Sequence, residues 1–172
     1  MPGRLVVFCG IPGSGKSTVA HLVARMTKPS VQFQTDGVRS MIADPTYTAE
    51  ESEFVYQAVI AAANVALDTG YLTILDGTFG SRRRRESALS ALEGHYSSVT
   101  VVHVVCDLET ALERNARRHK PVPEANLRGI LAGFDAPAGA LTVDTSNSSA
   151  EEGARLVLET ISPLVAAESM AA

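Results

Sequence analysis

Aromatic residues are scarce in this sequence of 172 residues: they make up 5% of it, and tryptophan is absent. Few aromatic faces are therefore available to stack against nucleic-acid bases. Cysteine is also scarce. Cys9 and Cys106 form neither a disulfide framework nor a metal-ligand spacing, and we interpret both as buried thiols. No apolar run reaches the roughly 18 residues of a membrane span, and the first ten residues hold too short a run for a signal peptide. We predict a cytoplasmic protein with no membrane partner.

Charge and composition set further limits. The formal net charge of −4 argues against a broad surface that coats nucleic acid, although it permits a local basic site. Hydrophobic residues at 45% and charged residues at 20% are typical of a globular domain. No repeat or low-complexity linker divides the chain. We therefore predict one domain over residues 1–168, with a lid at about 114–124 and a frayed tail at 169–172.

Short apolar runs alternate with helical patterns along the whole chain. This alternation is typical of an α/β protein whose parallel sheet is covered by helices on both faces. Ligands of such sheets bind at the carboxyl ends of the strands. The predicted strands lie near Leu5–Cys9, Val31–Gln34, Leu72–Leu75, Thr100–Val105 and Leu141–Val143.

The longest helix is predicted from about Ala49 to Asp68. The run Thr48–Glu51 fits a capping box at its start, and Gly70 is a typical stop signal after its end. We expect its buried stripe to consist of four apolar residues at helical spacing. These are Phe54, Ala58, Ala61 and Val65.

The first predicted strand leads into Gly10–Ser17, which is a full match to the pattern G-x-x-x-x-G-K-S/T. Glycines in this loop let successive N–H groups point at a polyphosphate, which the next helix N-terminus also attracts. Lys16 would reach the β- and γ-phosphates, and Ser17 would ligate Mg²⁺. The pattern N-K-x-D that reads guanine is absent, so ATP is favoured over GTP by default. The predicted ATP-binding residues of the loop are Gly10, Gly13, Ser14, Gly15, Lys16, Ser17 and Thr18.

A second metal-site residue is predicted at the end of a buried strand, where Asp76 follows four apolar or small residues. Hydrolytic ATPases commonly place a glutamate directly after this aspartate, to activate water. Here Gly77 follows instead, so phosphate transfer to an acceptor is the more economical hypothesis. The alternative for Asp76 is an aspartate that only caps a turn.

Asp36 and Arg39 are the candidate acceptor-side residues after the second strand. Because they are three positions apart, both project from one face if a helix starts there. Asp36 could take the proton of an acceptor hydroxyl, and Arg39 could hold an anionic group of that acceptor. The alternative is that Asp36 is a helix cap and Arg39 a surface residue.

Two further groups of arginines follow the third and fourth strands. Arg114 and Arg118 lie on one helical face, and Arg118 precedes a loop that could move as a lid over the γ-phosphate. Four successive residues diverge around a helix, so at most two of Arg82–Arg85 can face one ligand, and most of the run is expected to be solvated. His103 is expected to be a core histidine.

Together these motifs resemble the P-loop kinases that include 5′-hydroxyl polynucleotide kinases and the kinase domain of L-seryl-tRNA kinases. The resemblance covers Leu5 to about Ser146. It implies a three-layer fold with a five-stranded parallel sheet in the order 2-3-1-4-5. It also implies that Asp36 is the general base, that Arg39 binds an acceptor phosphate and that Arg118 is a lid arginine. Further implied residues are Arg114 and Asp144 for ATP, and Thr78 and Phe79 for the acceptor.

The acceptor stays open at this stage. A terminal hydroxyl of a nucleic acid is the leading hypothesis, because eight of the 15 basic residues fall at 82–85, 114, 117, 118 and 120. The shortage of aromatic residues supports a kinase of small metabolites instead. A third hypothesis is a nucleotide-dependent switch module without catalysis. The sequence names neither the acceptor nor the oligomeric state.

Overall fold

The computed structural model describes the backbone of residues 1–169 and the side chains of residues 1–162. The strands within it are β1 (Gly3–Cys9), β2 (Ser30–Gln34), β3 (Leu72–Asp76), β4 (Tyr96–Val105) and β5 (Leu141–Asp144). The helices are α1 (Lys16–Met26), α2 (Thr35–Ser40), α3 (Ala49–Asp68), α4 (Arg82–Ala91), α5 (Leu108–Ala116), α6 (Glu124–Ala132) and α7 (Ala150–Ser169). The predicted frayed tail lies outside the described residues, apart from Ser169.

The five strands form one parallel sheet in the order β2-β3-β1-β4-β5, which confirms the predicted fold class and strand order. The register places Asp76 of β3 between Phe8 of β1 and Gln34 of β2. The carboxyl ends of these three strands are therefore level with one another. The segments that follow them must start side by side at one edge of the sheet.

Helices cover both faces of the sheet, as the near-continuous apolar strands require. On one face, α1 and α7 bury Val19, Val23 and Val157 against β1, β3 and β4. On the other face, α3 buries Val59 and Leu67 against β1 and β3. The central strand β1 is thus enclosed from both sides, which fixes the position of the loop that follows it.

Helix α3 has the predicted bounds and the predicted cap residue Thr48, but the Glu51 side chain accepts from the N–H groups of Thr46 and Tyr47 rather than from that of Thr48, so the capping box is incomplete. Thr48 accepts a hydrogen bond from the Glu51 N–H, and Gly70 with a φ of 85° ends the helix in a Schellman pattern. The predicted buried stripe was wrong. Phe54 and Val65 are 57% and 67% exposed, and the buried residues are Val55, Val59, Ala63 and Leu67. The helix is rich in small apolar residues all round, so the spacing of the larger ones did not identify the buried face.

The two cysteines differ in their surroundings. Cys9 is fully buried, and burial raises the pKa of its thiol to about 11. Cys106 is only partly buried, and burial raises the pKa of its thiol as well. The prediction of a buried thiol is therefore confirmed for Cys9 and was wrong for Cys106. Among the described residues, no helix combines the length and apolar character that crossing a membrane requires.

Candidate active site

The loop after β1 has the geometry of a phosphate cradle. It turns through Gly10–Gly15 with φ values of 152° at Gly10 and 85° at Gly13, which residues other than glycine rarely adopt. A Cβ on Gly13 would also lie 2.3 Å from the carbonyl oxygen of Ala111. Helix α1 follows without a side-chain cap, so N–H groups of its first turn remain available to an anion.

Lys16 and Asp76 are two buried charged residues beside this loop, with 8% and 2% exposure. Burial raises the pKa of the Asp76 carboxyl, while the Lys16 charge and the polar groups of Ser17 and Gln32 act in the opposite direction. Gln32 was not predicted from the sequence. Its Nε2 atom donates to Asp76 Oδ2 at 3.1 Å and so fixes the carboxylate plane.

The donors at this point fit a magnesium ion. Asp76 Oδ1 is buried and has no hydrogen-bond partner among the described residues, and the Ser17 hydroxyl lies beside the same carboxylate. Carboxylate and hydroxyl oxygens are ligands that Mg²⁺ accepts, together with phosphate oxygens of a nucleotide. No group of three or more His, Cys, Asp or Glu that could hold a metal occurs in the described part of the chain. The set therefore fits an ion that a nucleotide brings, rather than a closed protein site.

Asp36 lies in the first turn of α2, directly beyond the end of β2. The backbone cap of α2 is Gln34, so Asp36 is not the helix cap that the sequence left as an alternative. Its carboxylate Oδ2 accepts a hydrogen bond from Arg118 Nη2 at 2.7 Å. The side chains of Asp36 and Arg118 are 70% and 35% exposed, so this ion pair faces solvent. The structure thus joins the candidate base to the candidate lid arginine.

Arg39 is held firmly by the start of α3. Its guanidinium pairs with Glu51, donates to Ser52 Oγ at 3.1 Å and lies 4.8 Å from the centre of the Tyr47 ring. Burial alone would raise the pKa of Glu51, but hydrogen bonds from Thr46, Tyr47 and Arg39 outweigh it and lower that pKa. The charge of Arg39 is therefore already balanced, although the residue does line the cleft.

Thr78 and Phe79 follow β3 and differ in their placement. Thr78 lines the cleft, whereas the Phe79 ring is fully buried and lies edge-on to Tyr56 at 4.9 Å. Phe79 therefore offers no face to an acceptor in this structure. Its φ of 41° is unusual for a side chain of this size, and Tyr56 Oη and Arg85 Nη1 hold its backbone at 3.2 Å and 2.8 Å.

Arg114 and Asp144 lie outside the cleft lining. Arg114 donates through Nη1 and Nη2 to the hydroxyl and the carbonyl oxygen of Thr145, both at 2.9 Å. The buried Thr145 hydroxyl in turn donates to the Ser14 carbonyl oxygen at 2.8 Å. A hydrogen bond from the Ser146 N–H lowers the pKa of Asp144. These contacts brace the loop and leave the predicted nucleotide contacts of both residues as proposals.

The predicted lid is anchored by Asn115, which the sequence did not single out as an anchor. This residue is 4% exposed, and its side-chain amide exchanges hydrogen bonds of 2.7 Å and 3.0 Å with the backbone of Val122. These two hydrogen bonds, called here the Asn115 bracket, hold together the ends of the loop that carries Arg118 and Lys120. An asparagine in a helical segment gave no signal of this role, because its partner is a backbone group.

A single cleft of about 900 Å³ collects most of the predicted site. The phosphate loop, β3, α2 and the lid each contribute to its lining. Tyr56 and Arg84, which the sequence had not assigned to the site, also line it. Of the predicted residues, the cleft brings together Lys16, Ser17, Asp36, Arg39, Asp76, Thr78 and Arg118.

The family model of an AAA domain matches residues 5–137. An adenylyl-sulfate kinase of Phocaeicola vulgatus is 30% identical over 175 residues, covering 95% of this chain and 84% of that protein. An L-seryl-tRNA(Sec) kinase of Methanococcus maripaludis is 22% identical over 153 residues, covering 83% of this chain and 59% of that protein. Uncharacterised mycobacterial proteins also match, and the chain spans only about a quarter of their length.

Solved structures of kinases share the fold. An APS kinase of Mycobacterium tuberculosis, in complex with AMPPNP and APS, has a TM-score of 0.75 at 20% identity, covering 94% of this chain and 98% of that one. A gluconokinase of Sinorhizobium meliloti has a TM-score of 0.71 at 20% identity, covering 99% and 98%.

The fold and the phosphate loop are those of the P-loop kinase class. The chain belongs to the AAA domain family whose model it matches over residues 5–137. The resemblance to P-loop kinases is thereby confirmed.

Proposed function

We propose that this kinase transfers the γ-phosphate of ATP, with Mg²⁺, to the hydroxyl of a small-molecule acceptor. The observation that carries the proposal is the single cleft that is lined by the phosphate-loop residue Lys16, the metal-side Asp76 and the exposed carboxylate of Asp36. A hydrolase would need a carboxylate that activates water beside Asp76. Gly77 stands there instead.

Asp36 is the proposed general base. It lies at the carboxyl end of β2, where an acceptor hydroxyl could approach the end of the phosphate loop. In the structure, Arg118 occupies one of its oxygens. A shift of Arg118 towards the transferring phosphate would both neutralise charge there and release the Asp36 oxygen for the acceptor proton.

ATP and its Mg²⁺ ion would be held by Lys16, Ser17 and Asp76. Lys16 carries its charge in a largely water-excluded position, where it is worth more to a phosphate than in solution. Mg²⁺, when bound, would neutralise charge between the β- and γ-phosphates. Asp76 Oδ1 and the Ser17 hydroxyl are the side-chain groups available to support it.

The size and charge of the cleft favour a small acceptor over a nucleic-acid end. Five of the eight clustered basic residues have partners within the chain, so few of them are left to contact a polynucleotide backbone. Phe79, one of the few aromatic residues expected at the acceptor, is buried. The engaged residues are Arg82 with Glu86, Arg85 with the Phe79 carbonyl, Arg114 with Thr145, Arg117 with Glu113 and Arg118 with Asp36.

A nucleic-acid terminal hydroxyl is the second candidate acceptor. It is favoured by Tyr47, which is 63% exposed at the cleft and could stack on a base, and by Lys120, which also lines the cleft. The L-seryl-tRNA(Sec) kinase among the relatives also gives this hypothesis support.

A transfer screen with γ-³²P-ATP tests the proposal. Wild-type enzyme is offered sugars, sugar acids, nucleosides, 5′-hydroxyl oligonucleotides and seryl-tRNA, with Lys16→Ala as the inactive control. We expect a labelled ester with a small hydroxyl compound and little label on oligonucleotides. Label on oligonucleotides or seryl-tRNA alone would reverse the order of the two candidates. Label on no acceptor, with ATP binding intact, would support the switch module.

A further inference from the structure

The four arginines Arg82–Arg85 at the start of α4 have different environments. The side chain of Arg82 is 76% exposed, and Arg83 is exposed too, whereas Arg85 is buried and holds the backbone of Phe79. Arg84 is the member of this run whose side chain lines the cleft. The sequence predicted that at most two of the four could face one ligand, and the structure narrows that choice to Arg84.

The guanidinium of Arg84 is oriented by an aromatic ring. Its central carbon lies 4.0 Å from the centre of the Tyr56 ring, a distance typical of a cation–π contact. Tyr56 in turn is fixed by Phe79, whose N–H donates to its hydroxyl. Tyr56 lines the cleft together with Asp36 and Arg39, so this ring lies among the acceptor-side groups.

Arg84 also has unused hydrogen-bonding capacity. Its Nη1 atom is buried and has no hydrogen-bond partner among the described residues. Its Nη2 atom forms a loose ion pair with Glu53 at 3.9 Å, which is beyond hydrogen-bonding distance, and the Glu53 side chain is 53% exposed. Arg39 is different, because Glu51 and Ser52 already occupy its guanidinium.

We propose that Arg84 binds an anionic group of the acceptor, so that the acceptor is a hydroxyl compound carrying a carboxylate, phosphate or sulfate. The proposal rests on the proposed function and names the substrate class of the same cleft. A planar guanidinium with free donors matches the paired oxygens of such groups. Stacking on Tyr56 holds the fork in place before the anion arrives, which lowers the entropy cost of binding. In this arrangement Arg39 shapes the wall of the cleft, and Arg84 is the clamp.

Acceptors of similar size that differ in charge provide the test. Transfer from γ-³²P-ATP is measured for gluconate against glucose, glycerate against glycerol, and a nucleoside 3′-phosphate against its nucleoside. We expect wild type to prefer the anionic member of at least one pair by about 10- to 100-fold in kcat/KM. Preference confined to the nucleotide pair would place the anion on a nucleic-acid-like acceptor, whereas preference in the other pairs would place it on a small acid. Equal rates within every pair that reacts would overturn the proposal.

Variants separate a binding role from a packing role. Arg84→Gln keeps a polar side chain with an amide donor but removes the charge, so it should lose the anion preference while transfer to neutral acceptors changes little. Arg84→Lys should keep part of the preference, because the charge remains without the fork. Arg82→Ala removes an equal charge from the same helix and should keep all of it. Loss of preference in Arg39→Gln but not in Arg84→Gln would assign the clamp to Arg39 and refute the proposal.

A binding measurement decides the point even if no acceptor is phosphorylated. Protein saturated with Mg²⁺ and AMPPNP is titrated calorimetrically with inorganic sulfate, so that the phosphate loop is already filled. We expect sulfate affinity to fall at least about 10-fold in Arg84→Gln and to be unchanged in Arg82→Ala. Equal affinity in wild type and Arg84→Gln would refute the anion site. Arg84-dependent sulfate binding without any transfer would instead leave the site standing and remove the proposed kinase reaction.

Discussion

Replacing Asp36 by Asn separates the catalytic role of this residue from any role in the fold. Asparagine can still accept the hydrogen bond from Arg118, but it cannot take a proton. The ion pair is solvent-facing, with side chains 70% and 35% exposed, and such pairs are worth about 1 kcal/mol at most. For a chain of this length, the melting temperature should fall by no more than about 2–4 °C. Transfer should fall by about 10²–10⁴, because a positioned general base contributes that much.

The assay for Asp36→Asn measures initial transfer rates under saturating ATP, together with nucleotide affinity and thermal unfolding. Affinity for ATP should stay near that of wild type, since Asp36 belongs to the acceptor side. Asp44→Asn is the matched control, because Asp44 is an exposed carboxylate on the loop after α2 and is not part of the cleft lining. Transfer by Asp36→Asn at the wild-type rate would refute the assignment of Asp36 as the base.

Further predictions concern the phosphate loop, the metal and the lid. Lys16→Ala should lower turnover at least about 100-fold while the circular dichroism spectrum stays native, and near-native turnover would contradict the phosphate-loop assignment. Excess EDTA should abolish transfer, and full activity in its presence would exclude a role for Mg²⁺. Asp76→Asn should raise the melting temperature without nucleotide, because the folded protein disfavours the charged carboxyl. Because folding raises the pKa of Asp76 above its usual 3.8, the stabilisation by Asp76→Asn should shrink towards acid pH, where the wild-type carboxyl is protonated. Urea unfolding at several pH values measures this stabilisation, and an increase towards acid pH would contradict the prediction. Asn115→Ala should cost about 1–3 kcal/mol and speed hydrogen exchange at Val122, and unchanged exchange there would show that the bracket does not hold the lid.

The sequence predicted the fold well because its signals are local. The run Gly10–Ser17 by itself indicates a turn, a phosphate-binding loop and the start of a helix. The apolar strands on either side of it in the sheet require helices on both faces. The order of the strands came from the resemblance rather than from spacing. The register of the strands aligns Asp76 with Gln34, so the expected metal ligand Asp76 and the candidate base Asp36 lie at the same edge of the sheet.

The acceptor side could not be predicted to the same depth, because its contacts join segments far apart in the chain. Arg39 and Glu51 are separated by the loop before α3, and the pattern gave no sign that they neutralise each other. The orientation of the Arg84 guanidinium depends on its contact with the Tyr56 ring of α3, which is again outside its local sequence. Phe79 looked available after β3, yet its positive φ turns the ring into the core.

The most direct test of the central claim is the fate of the γ-phosphate. Phosphorus NMR and radiolabel counting can follow ATP, ADP, free phosphate and phosphoester in one reaction with the acceptor found by the screen. We expect one phosphoester per ADP, formed only when the acceptor is present and lost in Lys16→Ala and Asp36→Asn. Release of ADP with free phosphate, at a rate that does not depend on the acceptor, would contradict the central claim.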